Sequence, residues 1–310
     1  MRRFRSTTLG AGLLALALLG AACGDDSGGG GGQGGGSDAE KGSIAVGVSG
    51  AFAESQLVAE MYAQVLENAG FEVERQLDLE AREASDAALF AGEIDVKPEY
   101  LAFELPKLDE SADINGTPEE VYPRVQAGAE SKDLVALAYS PANSTNVFVL
   151  LPDTASAEGL ATMSDLAPVA SSYTLGAPPD CKTNYPCEEG LKEVYGIEFA
   201  EIKSLDFGGP QTVAALDAGA VDVGVLFSLD PTITDKGYVV LEDDQSLEPA
   251  GNFFPLIRQD ALTDEVEELL NAVTATLTTE NMLGYVGRVQ VDQEDVAVVA
   301  TEHLEAEGLL

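Results

Sequence analysis

Apolar positions along the chain follow two alternating periods. Ser43-Ile44-Ala45-Val46-Gly47-Val48 is a short β-rich run and reads as a first strand. Leu57, Val58, Met61, Tyr62, Val65 and Leu66 then recur on one face of a helix over residues 54–69, which Gly70 stops. Residues 73–79 read as a second strand, 82–91 as a helix closed by Gly92, and 94–96 as a third strand. A strand over 134–139 is broken by Pro141-Ala142-Asn143-Ser144-Thr145, and an apolar strand over 147–151 opens a second run of the same kind. There, Ser164-Asp165-Leu166 opens a helix, 173–175 is a strand, and a helix reaches Tyr195 and is capped by Gly196. A strand over 197–205, a helix over 212–217 and a buried strand over 221–227 follow. Residues 252–258 form a returning strand, and two long helices, from about Asp264 and Asp292, close the chain.

Strands alternating with helices predict parallel or mixed α/β sheets. The order gives two units with two crossings, near Asn143 and near Leu247. The first lobe takes residues 42–142 plus 247–310, and the second takes 143–246. A chain that leaves one lobe, builds another and returns creates a cleft, where small ligands bind and hinge closure encloses them.

The first 41 residues do not fit this pattern. Arg2, Arg3 and Arg5 precede an apolar run over residues 13–19 and then Gly20-Ala21-Ala22-Cys23, the order of a secretory signal. The run falls short of the roughly 20 apolar residues that span a bilayer. Leu19-Gly20-Ala21-Ala22-Cys23 resembles a bacterial lipobox, which implies acylation of Cys23 and a membrane lipid anchor outside the cytoplasm; the other reading is ordinary cleavage near Ala22. Residues 24–41 are glycine-rich. They form a flexible tether with a span of roughly 20–25 Å. Only Cys181 and Cys187 remain. In an exported chain such a pair favours a disulfide over two free thiols, and one histidine with no further cysteine makes a poor zinc site.

The formal charge of −38 becomes −41 once the three arginines of residues 1–23 are removed. That excludes nucleic acid and adhesion to anionic lipid as natural partners. It also makes each basic residue near a cleft worth following.

Val48-Ser-Gly-Ala-Phe-Ala-Glu-Ser-Gln-Leu-Val-Ala-Glu60 resembles the opening of substrate-binding proteins of ABC importers for glycine betaine, choline and carnitine. Gly92-Glu-Ile-Asp-Val-Lys-Pro-Glu-Tyr100 is similar to their GEIDxxPEY signature. Asp222-Val-Gly-Val-Leu-Phe-Ser-Leu-Asp230, Val240-Leu-Glu-Asp-Asp244 and Asn252-Phe-Phe-Pro-Leu-Ile-Arg258 follow in the same order. The resemblance covers about residues 43–308. It implies a two-lobed type II periplasmic-binding-protein fold with a hinge and an interlobe cleft. The partners it implies are a small quaternary-ammonium or zwitterionic solute and an ABC permease in the membrane.

A quaternary ammonium has no N–H to donate and is held by aromatic faces, each worth roughly 0.5–2 kcal/mol. The chain has no Trp, so a cage must use Tyr and Phe. The resemblance places Tyr100 and Phe227 at cage positions, Phe52 in the first loop facing the cleft, and Asn146 at the first crossing. Tyr185, inside the cysteine loop, is a further candidate that would reach across. A ligand carboxylate needs donors. The family's usual lysine in the first loop is Gly50 here, and the Thr-Gly after the PEY motif is Leu101-Ala102. Lys182, Arg82 and, less directly, Thr145 are the substitutes.

Nothing in the sequence calls for a catalytic residue, a cofactor or a metal. His303 is the single histidine and reads as a solvated helix residue among Glu302, Glu305 and Glu307, so no histidine-based triad can form. The run over residues 28–36 follows no strand and is not a phosphate loop. Other readings are a sensor lipoprotein on the same fold, or a binding protein for an amino acid or a polyamine.

Overall fold

The computed structural model describes residues 41–182, 185–206 and 208–310. The expected signal, the acylated Cys23 and the glycine tether lie outside the described residues. No helix among the described residues is long and apolar enough to cross a membrane.

Two five-stranded sheets carry the fold. The first contains β1 (Ser43–Ser49), β2 (Glu72–Leu79), β3 (Val96–Tyr100), β4 (Leu134–Ala136) and the late strand β10 (Phe253–Arg258), in the order β2-β1-β3-β10-β4. The second contains β5 (Asn146–Leu150), β6 (Thr174–Ala177), β7 (Glu201–Ser204), β8 (Val223–Phe227) and β9 (Val239–Val240), in the order β7-β6-β8-β5-β9. In each sheet the strand reached by crossing, β10 or β5, runs antiparallel to both neighbours, while the three strands beyond it are parallel. These are the two α/β lobes that the alternation of elements predicts.

Burial explains why the elements hold. Helix α1 (Ala53–Asn68) buries all six residues of its apolar stripe. In β10, Phe253 and Ile257 face one cluster, with α1 and the C-terminal helices, while Phe254 and Leu256 face another, with α3 (Leu101–Leu108) and α4 (Pro118–Glu130). A strand covered on both faces is apolar throughout, as here. The second sheet is covered in the same way: Phe148 and Leu150 of β5 face one core, and Val149 faces the other. Helix α2 (Arg82–Ala91) stops at Gly92, whose φ of 74° is the left-handed cap that glycine adopts without strain.

Several expectations are corrected. The third strand begins at Val96 rather than residue 94 and runs on to Tyr100, and α3 follows it at once. The strand expected over 134–139 ends at Ala136, and the one over 197–205 is confined to Glu201–Ser204. The C-terminal region folds as three helices, Asp264–Thr276, Thr279–Gln290 and Val296–Glu307. Thr278 accepts from the Asn281 N–H at 3.2 Å and Asn281 accepts in return from the Thr278 N–H at 2.9 Å, a reciprocal cap that starts a new helix. His303 is not solvated. It is 3% exposed, its Nε2 lies 2.8 Å from Thr276 Oγ1 and its Nδ1 lies 2.9 Å from Tyr285 Oη. Burial pushes its pKa down, so the ring stays neutral and ties all three helices together.

Cys181 and Cys187 are joined in a disulfide, and both are buried in the core of the second lobe. The bridge closes a short loop, so the entropy it removes from the unfolded chain is modest. Its reduction is expected to cost about 2 kcal/mol, read as a lower urea midpoint in the presence of a phosphine reductant.

Candidate functional site

A cavity of about 680 Å³ is lined by residues of both lobes. From the first lobe come Phe52, which precedes α1, Arg82 at the start of α2, Tyr100 at the end of β3 and Phe103 in α3. From the crossing and the second lobe come Ser144, Thr145, Asn146 and Phe227. Phe52 is 43% exposed, Phe103 37% and Phe227 47%. Three large aromatic side chains left in solvent around one cavity are a surface the fold does not bury, and such a surface marks a place where something else packs.

Tyr100 and Phe227 are positioned as the last residues of strands. β8 ends at Phe227, which pairs in register with Asn146 at the start of β5. β3 ends at Tyr100, whose ring packs on Phe253 with centroids 4.8 Å apart and meets Phe103 edge-on at 6.2 Å. The Tyr100 hydroxyl lies 2.8 Å from Ser55 Oγ and donates to Glu54 Oε1 at 3.3 Å. Burial and the nearby Glu54 charge hold the phenol well above its usual pKa, so it remains a donor. Glu54 also accepts from Ser144 Oγ at 3.5 Å, and burial pushes its carboxyl up.

The Gly50 N–H donates to the Leu79 carbonyl at 2.9 Å, which brings the first loop against the end of β2. A Cβ on Gly50 would collide with the Asp78 carboxylate. A side chain at position 50 would require the exposed Asp78 carboxylate to rotate away.

The charge balance of the cavity is negative. Glu54, Glu80, Glu83 and Asp230 line it, and Arg82 is its one basic lining residue among those described. The Arg82 guanidinium carbon lies 5.2 Å from the Tyr100 centroid, 5.9 Å from Phe52 and 6.0 Å from Phe103. Its Nε lies 3.7 Å from Glu99 Oε1. Glu99 leads into a buried cluster, in which Lys97 Nζ contacts Asp86, Glu99 at 3.0 Å and Glu104 at 3.9 Å. Asp86, Glu99 and Glu104 converge as metal ligands would. The Lys97 ammonium already sits among them and supplies the positive charge.

The structure therefore brings together Phe52, Arg82, Tyr100, Asn146 and Phe227, with Thr145 beside them. It does not bring in Tyr185 or Lys182, neither of which lines the cavity. Tyr185 is exposed and donates to Glu193 at 3.1 Å; Lys182 is exposed on the disulfide loop. Asn146 Nδ2 and Thr145 Oγ1 donate to Glu248 at 3.1 and 3.3 Å. Those two residues also line a second cavity of about 640 Å³ that contains Glu248. Sequence reading missed Phe103 and Glu54. The signal for Phe103 is its position three residues after Tyr100, one helical turn from the strand end.

A profile of the family described as the substrate binding domain of ABC-type glycine betaine transport systems matches residues 42–306. The glycine betaine-binding protein YehZ of Escherichia coli is 23% identical over 269 residues, spanning 82% of this chain and 88% of that protein. The carnitine transport binding protein OpuCC of Listeria monocytogenes is 27% identical over 277 residues, spanning 86% and 87%. Among solved structures, a glycine betaine/carnitine/choline ABC transporter superposes with a TM-score of 0.77 at 23% identity, covering 86% of this chain and 98% of that one. The likeness to solved structures shows the fold, the two-lobed architecture of periplasmic solute-binding proteins.

Proposed function

The chain belongs to the family of substrate-binding domains of ABC-type glycine betaine transport systems, and from that premise we propose that its cleft captures a quaternary-ammonium osmolyte outside the cytoplasm and delivers it to a membrane permease. One observation carries the reading. Phe52, Tyr100 and Phe103 of the first lobe and Phe227 and Asn146 of the second line one cavity that also holds four carboxylates. A methylated ammonium is recognised by such π faces and by negative potential rather than by hydrogen bonds.

The mechanism follows from where these groups stand. A solute that touches Phe227 and the first-lobe aromatics together binds the approach of the two lobes better than their separation. It shifts the population toward closure by the difference in affinity between the two states. The crossings at residues 143–146 and 247–252 are the segments that would flex. The closed form docks on the permease, and ATP is hydrolysed elsewhere. Acylated Cys23 and the tether of residues 24–41 would hold the protein at the membrane while leaving its orientation free.

Calorimetric titration of the purified protein with glycine betaine, carnitine, choline and proline betaine tests the proposal. One-to-one binding of at least one of them is expected. Phe227→Ala, at an exposed position, should weaken it about 3- to 30-fold with unchanged thermal stability. Absence of heat with all four from folded protein sinks the reading. The four lining carboxylates support a second reading, a polyamine, whose N–H groups pair with carboxylates directly. Spermidine binding that is insensitive to Phe227→Ala would favour it.

A further inference from the structure

The cation held by the aromatic cage in this structure is the protein's own. Arg82 places its guanidinium carbon 5.2–6.0 Å from the centroids of Tyr100, Phe52 and Phe103, the range of a cation–π contact. Glu99 holds the Nε side at 3.7 Å, and the side chain remains 22% exposed toward the cavity. A methylated ammonium seeking the same rings meets a like charge already seated on them. The two cannot share the faces, because at such separations in a partly buried site their repulsion is at least as large as one ring contact.

Arg82 is also the one basic lining residue of the cavity among those described. Gly50, Leu101 and Ala102 supply no side-chain donor, and Lys182 lies outside the lining. A ligand carboxylate therefore has this guanidinium as its charged partner.

We propose that Arg82 is a built-in occupant of the cage that selects zwitterions over simple cations. The inference rests on the osmolyte reading above and adds to it the choice of solute. An entering ammonium takes the rings and pushes the guanidinium toward the cavity. A zwitterion such as glycine betaine brings a carboxylate that the displaced guanidinium meets with two parallel N–H donors. Choline brings a hydroxyl and leaves the displaced charge facing another cation. Displacing Arg82 thus costs every ligand the same ring contacts, and only a carboxylate returns an interaction for it.

The test is titration of wild type, Arg82→Gln and Arg82→Lys with glycine betaine and with choline. In Arg82→Gln, glycine betaine should weaken by about tenfold or more, the loss of a charged hydrogen-bonding partner. Choline should tighten by about threefold or more, as the competing cation leaves the rings. Arg82→Lys keeps the charge without the planar fork and should preserve the preference for glycine betaine in weaker form. Changes in the same direction and of similar size for both solutes in Arg82→Gln overturn the proposal, since a merely structural Arg82 would weaken both. Should Arg82→Gln fail to fold, Arg82→Lys decides: an unchanged ratio of the two affinities sinks selection by Arg82. A wild type that binds none of glycine betaine, carnitine, choline and proline betaine removes the osmolyte reading together with this inference, and one that binds only carnitine or proline betaine is titrated with that zwitterion in place of glycine betaine. A wild type that binds while the ratio stays fixed removes only the inference.

Discussion

Replacing Lys97 by methionine is expected to cost about 3–5 kcal/mol of stability at pH 7, the usual price of removing one partner from a buried charge cluster. Lys97 is fully buried, and its ammonium stands among Asp86, Glu99 and Glu104. Burial by itself lowers the ammonium's pKa, but Glu99, Glu104 and Asp86 outweigh it and the net shift is upward. Without the ammonium, three carboxylates face each other in the core. Burial first, then the Glu99 charge, already holds Glu104 well above the usual carboxylate range, and burial raises Asp86. Carboxyls with raised folded pKa values contribute stability that is present at acid pH and lost as pH rises. Lys97→Met should raise both further, so its penalty should be larger at pH 7 than at pH 5. Urea unfolding at the two pH values measures this. A loss under about 1 kcal/mol that is equal at both would mean the cluster is hydrated rather than paired.

Legibility in the sequence tracks how local each signal is. The stripe from Leu57 to Leu66 gives α1 because helical burial is written at fixed spacing. Gly92 gives the end of α2 because few other residues take its backbone angle. The two-lobed order is readable from the alternation of elements, and the motif positions point to Tyr100 and Phe227, which line the cavity. Helix α3 was not readable: it begins directly at the end of β3, so Leu101-Ala102-Phe103 continues an apolar run with no turn between, and Phe103 went unseen with it. His303 was misread because Glu302, Glu305 and Glu307 flank it. The better signal was the stripe Val299, Ala300, His303 and Leu304, all buried on one face. Tyr185 and Lys182 show the opposite limit. Whether a loop side chain reaches a cleft depends on the distance between elements, which no spacing records.

Glu248→Gln is expected to stabilise the protein, by an amount that grows with pH. Glu248 lies on the second crossing and accepts hydrogen bonds from Thr145 and Asn146 on the first, so one buried carboxyl joins the two segments at which the lobes connect. Burial pushes its pKa up to about 8, and the Asp243 charge adds to the rise. The sign follows from proton counting. Between an ordinary carboxyl pKa of about 4.3 and this raised value, the folded state holds a proton that the unfolded state has lost, so stability falls as pH rises through that window. Glutamine carries no such proton and keeps the accepting oxygen. The advantage of the variant should be near zero at pH 4 and reach on the order of 3 kcal/mol at pH 8, at ~1.4 kcal/mol per unit with allowance for relaxation. Thermal and urea unfolding at pH 4, 6 and 8 measure it, and a difference independent of pH would show that Glu248 is ionised in place. The same comparison bears on the site. Asn146 lines the cavity between the lobes through a side chain that Glu248 fixes, and glutamine can still accept from it. Ligand affinity should therefore change less than about twofold, because the acceptor rather than the charge sets the Asn146 orientation.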